Sequence, residues 1–185
     1  MKLKLIIVML LASGQILFSQ GLKPYYDIEK RGWGYKNDKG KVKIEPKYDQ
    51  VLPFKNGIGK VEKDGRFGYI NPKGKIVISI QYDLIKAFYK KTAIVKKGNF
   101  WGVINQQEEI LIPIQYKNIR DITTEEEKPS GKVIITNERS YKAMFDLITG
   151  KQLTPFKYIE VYSVFTQGLV PASKGLGECG HLNTL

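Results

Sequence analysis

Cysteine and histidine are almost missing from this chain: its 185 residues hold one of each, Cys179 and His181. A single cysteine excludes an internal disulfide framework and any cysteine-built metal centre. A single histidine excludes a multi-histidine metal site. Long apolar runs are lacking too. The N-terminal stretch Leu5 to Ala12 is soon interrupted by Gly14 and Gln15, and it falls short of the roughly 18 or more residues that a spanning helix needs. Acidic residues are few beside basic ones, 18 against 30, which leaves a formal net charge of +12.

What the N-terminus does contain is a basic start, Met1-Lys2-Leu3-Lys4, then the apolar stretch, then a more polar region ending Leu17-Phe18-Ser19-Gln20. That is the layout of a secretory signal peptide over residues 1–19, cleaved after Ser19 or Gln20. A retained membrane anchor is the rival reading. No cysteine lies near the cleavage region, which argues against lipid attachment there. Cleavage after residue 19 of 185 leaves about 166 residues, enough for one domain with a real core, and losing Lys2 and Lys4 lowers the charge from +12 to +10. The expected location is extracytoplasmic, periplasmic or secreted. Export without cystines suits a bacterial envelope protein better than a small stapled extracellular module. A charge of this size raises nucleic acid as a partner. Export argues against it, and so do lysines spread over turns and strands rather than gathered in a stripe.

The chain is repetitive from residue 25 onward. The phrase Gly32-Trp33-Gly34-Tyr35-Lys36-Asn37 returns as Arg66-Phe67-Gly68-Tyr69-Ile70-Asn71 and as Phe100-Trp101-Gly102-Val103-Ile104-Asn105, so glycines stand at 34, 68 and 102. A polar turn follows each copy: Asn37 to Gly40, Asn71 to Gly74, Asn105 to Glu108. Next come the alternating pairs Val42 and Ile44, Ile76 and Ile78, Ile110 and Ile112, the period-2 pattern of a strand. Tyr48, Tyr82 and Tyr116 close those strands. A connector with Val51 and Phe54, Ile85 and Phe88, or Ile119 and Ile122 leads to a third strand holding Gly59 and Val61 or Ala93 and Val95. The expectation is an all-β protein of tandem three-stranded meanders, each about 34 residues.

A fourth unit is traceable through Tyr158, with Ala143 in the glycine slot and a turn at Leu147 to Gly150 that is one residue longer. Thr123 to Pro129 forms a polar loop, and Phe165 to Ala172 matches Phe54 to Val61. Gly180-His181-Leu182-Asn183 fits the start of a fifth unit, with Cys179 in the tryptophan slot. The β-repeat domain is therefore placed at residues 25–183, with units of about 31–65, 66–99, 100–140 and 141–178 and the start of a fifth at 179–185.

These residues resemble the WG (or KWG) repeat of bacterial proteins. The repeated aromatic-Gly phrase with its Asn, the Gly-Lys turn and the closing tyrosine carry the resemblance over about Tyr25 to Asn183. Phe67 and Cys179 depart from its tryptophan. The resemblance implies an all-β repeat protein assumed to mediate interactions, and it implies no established catalytic residues.

The physics of the repeat gives the anchors a structural part. A unit this short cannot bury its own apolar face, so neighbours must supply the missing surface. Trp33, Phe67 and Trp101 are expected to fill the gap between layers. The glycine after each is expected to leave room for a close strand. The alternative for the aromatics is a sugar-stacking platform. Lys41 and Lys43, with Lys60 and Glu62 on the third strand, give the first sheet one polar face, whereas Val77, Ile94 and Leu111 cover the middle sheets on both. That gradient predicts an open stack with a solvated N-terminal cap, a closed propeller-like array ranking second.

No residue set argues for a reaction. The phosphate-loop look-alikes at Gly34 to Lys41 and Gly68 to Lys75 have five residues between their glycines and continue without Ser or Thr. Gly175 to Gly180 fits a dinucleotide pattern, but only five residues follow it and no helix can form to hold a pyrophosphate. Cys179 and His181, two apart on one strand, share a face, yet they occupy ordinary repeat slots. Glu125-Glu126-Glu127 reads as a solvated loop, with weak cation binding as the alternative. The expected function is an exported, non-catalytic binding module that docks a protein or an anionic envelope polymer, with no cofactor and no metal. The alternatives are an envelope enzyme acting on glycans through paired carboxylates, or a fragment of a longer repeat protein.

Overall fold

The computed structural model describes residues 21–124, 128–162, 164–165, 169–175 and 178–183, with the backbone alone at strand positions 124, 164–165, 169, 175 and 178–183. The expected signal peptide, residues 1–19, lies outside the described residues. So does the Glu125-Glu126-Glu127 run.

The recurring turns are built by their asparagines. Asn37 Oδ1 accepts from the backbone N–H of Lys39 at 3.1 Å and of Lys41 at 2.9 Å. Asn71 does the same for Lys73 and Lys75, both at 3.0 Å, and Asn105 for Gln107 and Glu109, both at 2.9 Å. A short amide side chain that satisfies its own backbone in this way fixes a tight turn. The fourth turn residue must then adopt positive φ: 75° at Gly40 and 78° at Gly74. In the third copy that position is Glu108, at 64°.

The described residues form five sheets. The first comprises β1 (Lys23–Asp27), β2 (Gly32–Lys36) and β3 (Val42–Tyr48). The second runs β4 (Gln50–Val51), β5 (Gly59–Lys63), β6 (Arg66–Ile70), β7 (Ile76–Tyr82), and the third β8 (Leu84–Ile85), β9 (Thr92–Lys97), β10 (Phe100–Asn105), β11 (Ile110–Tyr116). The fourth is built on β12 (Asn118–Thr124), β13 (Pro129–Thr136) and β14 (Lys142–Asp146). The fifth opens with β15 (Glu160–Val161); β16 (Val164–Phe165) then returns to lie parallel to β12 before β17 (Leu169–Gly175) and β18 (Glu178–Asn183) complete the fifth. The fold is all-β and made of small, mostly antiparallel meanders.

The sheets are cut one strand out of phase with the sequence units. The chain changes sheet just after Tyr48, Tyr82 and Tyr116; the first two connectors join the next sheet as the short edge strands β4 and β8, and the third as the longer β12, flanked by β13 and β16. The reason lies in the hairpins. Asp64-Gly65 is a two-residue turn with φ of 52° and 70°, and such turns keep their flanking strands paired side by side. The second and third sheets thus have four strands where the meander reading expected three.

A bulge explains the repeated glycine. Trp33 pairs with Tyr48 and Tyr35 with Ile44, so two steps on β2 face four on β3. Phe67 and Tyr69 against Tyr82 and Ile78, and Trp101 and Val103 against Tyr116 and Ile112, repeat that shift. The bulged strand presses onto the glycine between. A Cβ on Gly34 would lie 2.4 Å from the Ile44 carbonyl oxygen, on Gly68 2.6 Å from that of Ile78, and on Gly102 2.8 Å from that of Ile112. In the fourth unit Ala143 pairs with Ile135 as Gly102 pairs with Val95. Its methyl group takes the room that partner backbone needs. Opposite it the second strand is reduced to the isolated bridges Phe145–Gln152 and Lys142–Tyr158.

Four apolar clusters fill the four gaps between consecutive sheets. Successive residues of one strand serve opposite gaps: Tyr69 belongs to the gap between second and third sheets and Ile70 to that between first and second. Val103 and Ile104, or Val133 and Ile134, divide in the same way. The middle sheets are therefore covered on both faces, as the gradient from Lys41 to Leu111 predicts, and no cluster of described residues joins the first sheet to the fifth. Two expectations are corrected. Trp33, Phe67 and Trp101 are only half-buried at the margins of the clusters, because each pairs with the closing tyrosine at the strand end beyond the bulge. The gap itself is filled by Tyr35, Ile70, Val103 and Ile104, all fully buried. Lys60 and Glu62 lie on β5, in the second sheet, and do not contribute to the face carrying Lys41 and Lys43.

Candidate functional site

The chemistry-bearing side chains gather where one sheet meets the next. At the third turn, the left-handed backbone of Glu108 aims its carboxylate at the free edge of β7. It accepts from the Ser79 N–H at 3.0 Å, the Ser79 hydroxyl at 2.8 Å, the Gln81 amide at 3.0 Å and the Tyr82 hydroxyl at 3.0 Å. Lys97 in turn donates to the Gln81 carbonyl at 2.6 Å and fixes that amide. Burial works to raise the Glu108 pKa, but the bonds from Ser79, Gln81 and Tyr82 outweigh it and hold the carboxyl below the usual carboxylate range. Tyr82, buried and next to this anion, is pushed well above the ordinary phenol range. This is a clamp between the second and third sheets. Every oxygen is already engaged, so it offers little to a substrate.

On the connector side of the same two sheets lies a groove of about 590 Å³. Leu52, Phe54, Ile58, Tyr69, Ile85 and Phe88 supply its apolar wall, and Tyr69 and Phe88 meet edge to face with centroids 5.3 Å apart. The Lys60 ammonium enters this wall, donates to the Ile85 carbonyl at 2.9 Å and lies 4.4 Å from the centre of the Phe67 ring. Burial lowers its pKa from the ordinary lysine value, against a weaker opposing pull from Glu62.

A different surface covers the outside of the first sheet. Along β3 burial alternates strictly: Ile44, Pro46 and Tyr48 face in, Lys43, Glu45 and Lys47 face out. Lys41 and Lys43 are exposed and make no ion pair among the described residues, while Lys30 takes Glu45 at 2.7 Å and Lys23 takes Asp38 at 3.1 Å. Of the sequence candidates at the C-terminus, Cys179 pairs with Ser173 and His181 with Pro171 through the backbone of β18; their side chains lie outside the description. The register of Cys179 and Gly180 against Ser173 and Ala172 is that of Trp101 and Gly102 against Lys96 and Val95.

The family profile described as WG containing repeat matches residues 33–67, 67–99 and 101–126. The chain belongs to the WG-repeat family. No curated protein matches it. Among solved structures it is similar to the computationally designed Ika4 protein, at 14% identity over 72% of this chain and 91% of that one, with a TM-score of 0.35. It is also similar to the WD40 beta propeller domain of Doa1, at 12% identity over 86% and 67% with a TM-score of 0.32. A third likeness is Kluyveromyces lactis Hsv2, at 5% identity over 84% and 68% with a TM-score of 0.31.

Within the WG units, sequence reading found the glycine and the turn but missed both interface groups. Glu108 looks like one more turn acid, and only its place in the glycine slot of the 34-residue period marks it. Lys60 alternates in phase with Glu62 and opposite the buried Gly59 and Val61, so its own strand reads it as facing outward. The signal lay in the sister units, where the same slot holds Ile94 and Ile134.

Proposed function

We propose that this WG-repeat array is an exported, non-catalytic binding module that docks a protein or an anionic envelope polymer on the outer face of its first sheet. The observation that carries the reading is the β3 alternation, with Lys43 and Lys47 outward, Lys41 exposed just before the strand, and Ile44, Pro46 and Tyr48 buried on the inner face. Lys41 and Lys43 make no ion pair among the described residues, and Lys47 lies over the Tyr48 ring at 5.5 Å from its centre with its charge still facing outward. Attraction of this kind mainly speeds encounter and selects against wrong partners. The signal-peptide layout of residues 1–19 supports export, and the clamp at Glu108 supports a rigid scaffold rather than an active site.

The test is a crosslinking pull-down from the native envelope, run with the wild-type chain and with Lys41→Glu/Lys43→Glu. A partner captured by the first and lost by the second, with both proteins folded, supports the reading. Equal capture by both would place the contact elsewhere.

A further inference from the structure

The third and fourth sheets share an arrangement from which the groove departs, whereas the fifth has Tyr162 against Pro171 at the same place. In the third sheet the Lys86 N–H donates to the Ile94 carbonyl at 2.9 Å, and in the fourth Arg120 pairs with Ile134. In both, the basic residue stands in the outer slot and reaches the next sheet, Lys86 to Asp121 at 2.6 Å and Arg120 to the Val161 carbonyl at 2.7 Å. The isoleucine fills the core behind it. The second sheet carries the same pair inverted. The Leu52 N–H donates to the Lys60 carbonyl at 2.9 Å, so leucine has the outer slot and lysine the inner one. Leu52 is left 56% exposed at the mouth of the groove, and the amine stands in the wall where its sisters have a methyl-rich side chain. Exposing a leucine and half-burying an ammonium both cost stability. A ligand that covers the one and pairs with the other would reverse both costs.

We propose that the groove between the second and third sheets binds a small monocarboxylate with an apolar body, its carboxylate on the Lys60 ammonium and its body against Leu52, Phe54 and Phe88. An ammonium has three N–H donors, and the Ile85 carbonyl takes one. Lys55, exposed at the rim, is the other cation of the lining, and no acid lines the groove. One half-buried cation matches one carboxylate rather than a polyphosphate, and aromatic and aliphatic walls favour a hydrocarbon body over a sugar. The volume falls within the roughly 300–1,000 Å³ of ligand sites. The site is separate from the basic face of β3, so it goes beyond the function proposed above.

Decanoate is the probe, titrated calorimetrically into the mature chain below its micellar concentration, with decan-1-ol as the neutral control. The wild type binds decanoate at one site. Lys60→Ile, the residue of the sister strands, weakens it roughly tenfold or more, the loss expected for a hydrogen bond to a charged group. The pair Leu52→Lys/Lys60→Ile restores the arrangement of the third sheet, raises the melting midpoint and abolishes binding. Decanol binds wild type and Lys60→Ile alike. The proposal is overturned if wild type gives no saturable heat, or if folded Lys60→Ile binds decanoate as tightly as wild type. Loss of binding in Lys41→Glu/Lys43→Glu would also overturn it, by placing the anion on the β3 face. Capture of an acidic, leucine-rich peptide without decanoate binding would replace it by a peptide-docking groove.

Discussion

Replacing Glu108 separates two effects that the third turn combines: a left-handed backbone that disfavours a side chain, and a carboxylate that clamps β7. A hydrogen bond to a charged group contributes about 1.5–3 kcal/mol, but Glu108 is partly exposed and its four bonds share two oxygens, so solvent screening reduces the total to about 2 kcal/mol. Glu108→Ala loses the clamp and keeps a Cβ at φ 64°. Glu108→Gly loses the same clamp but regains about 1 kcal/mol, because glycine adopts that backbone freely. The expected order in urea at pH 7 is wild type, then Glu108→Gly, then Glu108→Ala. Each kcal/mol corresponds to about 2–4 °C in melting midpoint for a chain of this length.

The pH dependence carries a sign. The folded pKa of Glu108 is lowered relative to an unfolded glutamate near about 4.3. Its contribution is therefore fully present above the unfolded value and lost as pH falls through the folded one. The stability gap between wild type and Glu108→Gln should be constant from pH 7 to about pH 5 and close in more acid solution. An Ala variant as stable as the Gly variant would refute the backbone argument. A gap that widens in acid would refute the clamp.

The remaining predictions follow the same logic. Lys90 and Lys91 occupy a two-residue turn at φ 44° and 70°, where the preceding unit has Asn56-Gly57 at 52° and 80°; Lys90→Asn/Lys91→Gly should stabilise by roughly 1 kcal/mol in urea melts. Gly102→Ala should cost about 1–3 kcal/mol, since its Cβ would meet the Ile114 side chain at 2.6 Å and the Ile112 carbonyl oxygen at 2.8 Å. Ala143→Gly should cost less than about 1 kcal/mol, because the bulged partner is already absent there.

Much of the array was legible because the period forces it. Three glycines at the same spacing, each followed three residues later by Asn, demand a common local geometry, and the asparagine bonds and the glycine contacts with the bulged strand supply its cause. The phase of the sheets was not legible. Val51 and Ile85 sit in connectors too short to show a period, yet they pair with Val61 and Val95 and so decide which strands share a sheet. Lys60 was misplaced for the same reason. Alternation tells which face of a strand a residue occupies, but the identity of the sheet across that face depends on where the connector runs. Glu108 was overlooked because its partners Ser79, Gln81 and Tyr82 lie 26 to 29 positions earlier, beyond the reach of any local pattern.

The central claim is that the cations of the first sheet dock an anionic partner. Its most direct test is the affinity of the chain without residues 1–19 for the captured native partner across ionic strength. The screening length falls from about 10 Å at 0.1 M to about 3 Å at 1 M. Binding carried by Lys41 and Lys43 should weaken steeply over that range in the wild type, and Lys41→Glu/Lys43→Glu should be weak throughout. Affinity flat in salt and unchanged by the double substitution would contradict the account.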